Sequence, residues 1–194
     1  MMASIGVVLT PGFADWEYAL LAGTAKPFYG IDLRFFSPAP GALRSQGGLD
    51  VTVADDLAQC QAWQPQAVAI IGGMVWESSA APELGAFLHA LRDQGAAVAG
   101  ICGGTLALAR AGLLDHIAHT SNSADFLRRN AMGYGGAAHY RDSPAAVHAQ
   151  RVITAPGTAP VSFTCEVFAA AGLAPEPIAQ LRAMLAAEHG TRLP

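Results

Sequence analysis

At 194 residues, with 52% hydrophobic and 13% charged side chains, the chain suits one domain with a three-layer core, and much of it has to be buried or covered by a partner. A formal net charge of −4 without any Lys/Arg run excludes nucleic acid as the main ligand. No apolar stretch is long enough to span a bilayer, and the opening MMASIGVVLTPGF lacks the basic leader and long apolar core of a signal peptide.

Residues 4–9 (SIGVVL) predict a first buried strand, closed by Thr10-Pro11-Gly12. A helix start follows at Phe13-Ala14-Asp15-Trp16-Glu17, with acids in its first turn where they suit the macrodipole. Residues 31–36 (IDLRFF) alternate as a second strand, and Gly47-Gly48 introduces a short hairpin-like excursion over 49–53. A third apolar strand at 67–71 (AVAII) runs into Gly72-Gly73, and 82–93 reads as an amphipathic helix with Leu84, Phe87, Leu88 and Leu91 on one side.

Residues 96–101 predict the next strand and 105–111 the helix after it, ended by Gly112. His119-Thr120-Ser121-Asn122 leads into a short helix over 124–129, and 130–146 reads as a glycine-rich loop. A ribbon over 146–148 and 151–154 precedes Pro156-Gly157-Thr158, and helices are predicted at 161–171 and 178–189. Strands alternating with helices, each strand nearly all apolar, predict an α/β fold: a three-layer, doubly wound sandwich with a mostly parallel, flavodoxin-like central sheet. No repeat or linker divides the chain, so it reads as a single domain over 1–194, with 1–3 and 190–194 as loose ends. The high apolar fraction adds the expectation of a homodimer.

Cys60, Cys102 and Cys165 are odd in number, widely spaced and without a CxxC pair, which predicts free thiols in a reducing cytoplasm. Cys102 stands apart because Gly100-Ile101-Cys102-Gly103-Gly104 joins a predicted strand to a predicted helix. A sharp strand-to-helix bend around G-x-C-x-G is the thiol form of a nucleophile elbow. A helix start favours thiolate over thiol, and the Gly103 N–H faces any oxyanion formed on a carbon attacked by sulfur. The alternative is an inert buried cysteine in a tight turn. Asp15 to Glu17, Gly72-Gly73, Cys102 and Gly157-Thr158 all follow predicted strands, and ligands collect at that end of a parallel sheet.

With these landmarks the chain resembles the ThiJ/PfpI superfamily, of class I glutamine-amidotransferase-like fold. The matching segments are GFADWE at 12–17, IIGG at 70–73, AGICGG at 99–104 and PGT at 156–158, in family order. The resemblance implies Cys102 as nucleophile and Glu17 as the acid that approaches its sulfur. A carboxyl buried beside a thiolate has a raised pKa, stays protonated and manages a proton for the substrate. Gly73 and Gly103 then supply the oxyanion N–H groups.

Three departures from the family pattern narrow the chemistry. Asn122 aligns with a histidine that many relatives carry in a Thr-Thr-His-type segment, and an amide is no general base. Gly103 replaces the histidine that follows the nucleophile in the protease branch, and no His-x-Glu pair follows Cys102, so protease and triad glutaminase are both disfavoured. Asn122, His119 and Thr158 are left to position substrate or water.

His116 and His119, with His139 or Asp115, do not make a recognisable ligand set, so no metal is expected. Gly133-Tyr134-Gly135-Gly136 follows no predicted strand and lacks the Lys-Ser/Thr pair of a phosphate loop, so no cofactor is expected either. The expected function is thiol-dependent addition to a small carbonyl, amide or similar electrophile, of glyoxalase, deglycase, hydratase or amidase type. The alternative is a non-catalytic redox or stress sensor, or a chaperone, in which Cys102 is oxidised.

Overall fold

Short apolar runs, each closed by glycine, proline or a polar turn, build the central sheet of the computed structural model, which describes residues 3–190. In chain order the strands are β1 (Ser4–Val8), β2 (Asp32–Phe36), β3 (Gly41–Arg44), β4 (Asp50–Val53), β5 (Ala67–Ile70), β6 (Ala97–Ile101), β7 (Val147–Ala149) and β8 (Val152–Ala155). The helices are α1 (Asp15–Tyr29), α2 (Leu57–Trp63), α3 (Gly85–Asp93), α4 (Gly104–Arg110), α5 (Ala124–Asn130), α6 (Pro160–Ala170) and α7 (Pro175–Gly190).

The main sheet has the order β2-β1-β5-β6-β8-β7. Its first five strands pair in parallel and β7 closes one edge antiparallel. Renumbered among the parallel strands alone, this is the flavodoxin-like order, whose direction reverses beside β1. Side chains alternate across the sheet as the pleat requires. Ile5, Val7, Ala67, Ala69, Ala97 and Ala99 pack with α1, α6 and α7, while Val8, Val68, Ile70 and Val98 pack with α2, α3, α4 and α5. The small alanines on the first face leave room for the large Phe163 and Phe168 of α6. The fold is therefore the three-layer, doubly wound α/β sandwich.

Among the strands and α-helices, two lie outside the expectation. Strand β3 pairs antiparallel with β4 as a separate ribbon, so the excursion over 49–53 has its partner at Gly41–Arg44. Helix α2 follows Asp56, which caps Gln59 N while the Gln59 side chain returns the bond to the Asp56 N–H. Helix α3 begins at Gly85, later than the pattern from 82 suggests. At the N-terminal end Ala3 is tied to the sheet, its carbonyl accepting from Asp32 N at 2.9 Å, so looseness does not extend to it. Gly190 closes α7, and the expectation for 1–2 and 191–194 lies outside the described residues. Among the described residues no helix is long and apolar enough to cross a membrane.

Candidate functional site

Four strands, β1, β5, β6 and β8, end on one side of the sheet, and each hands its chain to a residue of the site. Past β6 the backbone turns at Cys102 with φ +54°, a left-handed conformation that costs a non-glycine residue about 1–3 kcal/mol. The surrounding bonds hold it there. Cys102 N–H donates to Ala155 O at 2.9 Å, and its carbonyl accepts from Thr105 N at 3.1 Å and from Thr105 Oγ1 at 2.6 Å. Trp76 is fully buried beneath the bend, with Nε1 donating to Ile71 O, so it belongs to the core. The strand-to-helix bend is thus an elbow with a half-buried thiol at its tip.

Past β1, α1 carries Glu17 into the same place. Its side chain is fully buried; Oε2 accepts from Gly72 N at 2.7 Å, and Oε1 has no hydrogen-bond partner. Past β5 and β8, Gly72 and Gly157 press against both groups, and neither has space for a side chain. A Cβ on Gly72 would lie 2.6 Å from Glu17 Oε2 and 2.8 Å from Cys102 Cβ. One on Gly157 would lie 3.1 Å from Cys102 Sγ and 3.3 Å from Glu17 Oε1. The unpaired carboxyl oxygen and the sulfur are therefore neighbours across two glycines.

Asn122 completes the contacts to sulfur. Its Nδ2 donates to Cys102 Sγ at 3.2 Å, and its Oδ1 accepts from Gly157 N at 2.9 Å. Thr158 stands exposed beside it, in an open groove of about 270 Å³ that Ser121, Asp142 and Ser143 also line. Gly103 N–H lies close enough to sulfur to favour its ionised form. The Gly73 carbonyl faces Gly103 and accepts from Trp76 N at 3.3 Å, while the Gly73 N–H donates to no described residue.

The electrostatics of the pair correct one expectation. Burial, opposed by the Gly72 N–H and the Cys102 thiol, pushes Glu17 up to about 7. Burial and the Glu17 charge together push Cys102 up to about 11, against the pull of Asn122 and Gly103 towards thiolate. A short α4 does not outweigh them, so the resting thiol keeps its proton, while Glu17, near 7, gains and loses its own around neutral pH. Protonating Glu17 removes the charge and leaves only the donors acting against desolvation.

His119 is not in the site. The ring is fully buried, with Nδ1 on Ile117 O at 2.8 Å and Nε2 on the Tyr134 hydroxyl, its face flanked edge-on by Tyr134 and Tyr140. Two residues, Thr120 and Ser121, separate it from Asn122, and Ser121 bonds Thr105. It anchors the 130–141 loop instead of positioning substrate. Asp15, a dipole partner or solvated acid by its position, accepts from Gly47 N at 2.7 Å and so ties the β3–β4 ribbon to α1. Cys60 and Cys165 are fully buried. Among the described residues no three His, Cys, Asp or Glu side chains gather as a metal site requires.

One site residue escaped the sequence reading. Trp16 is 52% exposed and its Nε1 donates to Gly157 O at 2.9 Å. Nothing in GFADWE separates a site tryptophan from a surface one, except that it directly precedes Glu17.

The chain and its fold have counterparts among known proteins. A family model described as the DJ-1/PfpI family matches residues 3–170. A Bacillus subtilis (strain 168) protein named "Uncharacterized protease YoaZ" is 30% identical over 167 residues, which is 79% of this chain and 76% of that one. The crystal structure of DJ-1 superfamily protein Atu0886 from Agrobacterium tumefaciens is 39% identical and superposes with TM-score 0.90, covering 97% of this chain and 100% of the other. Drosophila melanogaster DJ-1beta, at 22% identity and TM-score 0.70 over 95% of this chain and 98% of its own, shares the fold.

Proposed function

The chain belongs to the DJ-1/PfpI family, and from that premise we propose that it is an enzyme adding the Cys102 thiol to a small electrophile, a carbonyl or amide compound. The observation that carries this reading is the pairing of a strained elbow thiol with a buried carboxyl whose free oxygen adjoins it. A carboxyl near 7 suits proton transfer at neutral pH.

Sulfur adds to the electrophilic carbon while its proton passes to Glu17. The π pair of the carbonyl moves onto oxygen, where the Gly73 and Gly103 N–H groups receive it. Glu17 then returns the proton, to that oxygen in a hemithioacetal or to the leaving amine when the substrate is an amide; in the amide case water then cleaves the Cys102 thioester, releasing the acid and restoring the thiol. Asn122 and Thr158 border the open side, where the rest of a substrate lies.

The protease name of the B. subtilis relative is that protein's own. Here Gly103 follows the nucleophile, and among the described residues no imidazole bonds to Sγ, which favours small electrophiles over peptide bonds. A redox-sensing role is the second reading. It draws on the same unpartnered Oε1, since protonated Glu17 would donate to a sulfinate formed on Cys102.

The test is turnover of methylglyoxal and a panel of aldehydes and primary amides by the wild type and by Cys102→Ala. Turnover that vanishes in the variant supports the enzyme. An inactive wild type, combined with selective peroxide oxidation of Cys102 by mass spectrometry, replaces it with the sensor.

A further inference from the structure

The orientation of the Asn122 amide is decided by a neighbour. A backbone N–H can only donate, so the Asn122 atom 2.9 Å from Gly157 N is the carbonyl oxygen. The same planar group must then turn its NH₂ to Cys102 Sγ, 3.2 Å away. The Gly157 peptide is gripped from its other side too, by the Trp16 indole N–H on its carbonyl oxygen at 2.9 Å. Trp16 directly precedes Glu17, so the first turn of α1 delivers both the acid beside the sulfur and the brace for Gly157.

We propose that Asn122 is the donor that stabilises the ionised Cys102 sulfur, and that Trp16, acting through Gly157, is the positioning residue that keeps the Asn122 amide in its donating orientation. This rests on Cys102 being the reactive thiol. A donor to sulfur favours the thiolate, whereas an amide turned the other way would offer sulfur only an acceptor.

The groups facing sulfur from the other elements are few. Helix α1 brings Glu17, the chain after β5 brings Gly72, the chain after β6 brings Gly103, and the chain after β8 brings Gly157. Asp142 stands exposed in the groove that begins at Asn122. Glu17, raised by burial to about 7, is the neighbour that titrates in the same range, and it is present in the wild type and in both variants, so the donor effect reads in the difference between their profiles.

The experiment is the rate of Cys102 alkylation by iodoacetamide across pH, in the full chain, followed by mass spectrometry; Cys60 and Cys165 are fully buried and separate cleanly from it. Asn122→Ala removes the donor without adding charge, and the exposed position tolerates it. Its thiol should titrate higher and react roughly ten-fold more slowly near neutral pH, the size of one hydrogen bond to a charged group. A side chain that merely filled space would do the opposite, because truncation opens the sulfur to the reagent. Trp16→Phe keeps a ring and removes only the indole N–H, and should shift the thiol in the same direction by about three-fold in rate.

Unchanged or faster alkylation in Asn122→Ala overturns the donor role. An unmoved titration in Trp16→Phe overturns the positioning role. Alkylation needs no substrate, so these outcomes stand apart from the electrophile panel, where failure would strike the proposed reaction alone.

Discussion

Replacing Glu17 by glutamine should separate the stability of the site from its chemistry. Glu17 is fully buried, and burial lifts its carboxyl from an ordinary 4.5 to about 7. Between those values the folded chain keeps a proton that the unfolded chain has already released. The folded state then binds more protons, and stability falls as pH rises through that window. At about 1.4 kcal/mol per pH unit the buried carboxylate costs on the order of 3 kcal/mol above pH 7, and nothing below 4.5 where both states are protonated.

Glutamine mimics the protonated acid at every pH. Its oxygen accepts the Gly72 N–H, and its NH₂ occupies the place of the unpaired Oε1 beside sulfur. Urea denaturation of wild type and Glu17→Gln, repeated from about pH 4.5 to 8.5, cancels every other titrating group in the difference. The variant should match the wild type at the acid end and gain about 3 kcal/mol by pH 8, or about 1–2 M in urea midpoint at a slope near 2 kcal/mol/M. Turnover of any electrophile should be lost in the same variant, because nothing remains to take the thiol proton. Parallel stability profiles, or a variant weaker than wild type at pH 8, would refute a carboxyl held high by burial.

Gly72→Ala should cost about 1–3 kcal/mol in a thermal melt and abolish turnover, because the new Cβ meets Glu17 Oε2 at 2.6 Å and Cys102 Cβ at 2.8 Å and neither can retreat within a packed bend. His119→Phe keeps a ring of similar size and leaves the Ile117 carbonyl and Tyr134 hydroxyl unpaired, which should cost about 2 kcal/mol. Alkylation of Cys102 in that variant should stay within about two-fold of wild type, and a ten-fold loss would return the imidazole to the site.

What could be read in advance follows the range of the interactions involved. The strands of the central sheet are short apolar runs bounded by glycine and proline, and a local pattern suffices to place them. Cys102 was legible for the same reason: glycines on both sides of one cysteine at a strand-to-helix junction leave few other conformations. Helix α2 was missed although Asp56 and Gln59 spell its capping box, because seven residues carry too short a period to register. Strand β3 has a single buried side chain, Leu43, so its alternation hardly shows.

Side-chain direction was the least legible of all. His119 and Asn122 lie three apart, and only the packing of Tyr134 and Tyr140 around the ring decides which of them reaches sulfur. Trp16 and Gly157 are 141 residues apart, a separation no local pattern bridges.

The amide at position 122 also changes what kind of site this is. An imidazole beside sulfur would share its proton and hold an ion pair over a range of pH. Asn122 has no proton to give up, so sulfur and Glu17 must settle one proton between themselves. Ionising the carboxyl raises the thiol, and protonating it removes that charge, so the two groups titrate as a coupled pair. In the proposed addition such a pair would transfer one proton without a third titrating group, provided the sulfur leaves its thiol form only as it attacks. In the proposed reaction the strain at Cys102, the two glycines that admit no Cβ and the donor from Asn122 would all serve that one transfer, because each brings the unpaired carboxyl oxygen and the sulfur together or lowers the cost of the thiolate between them.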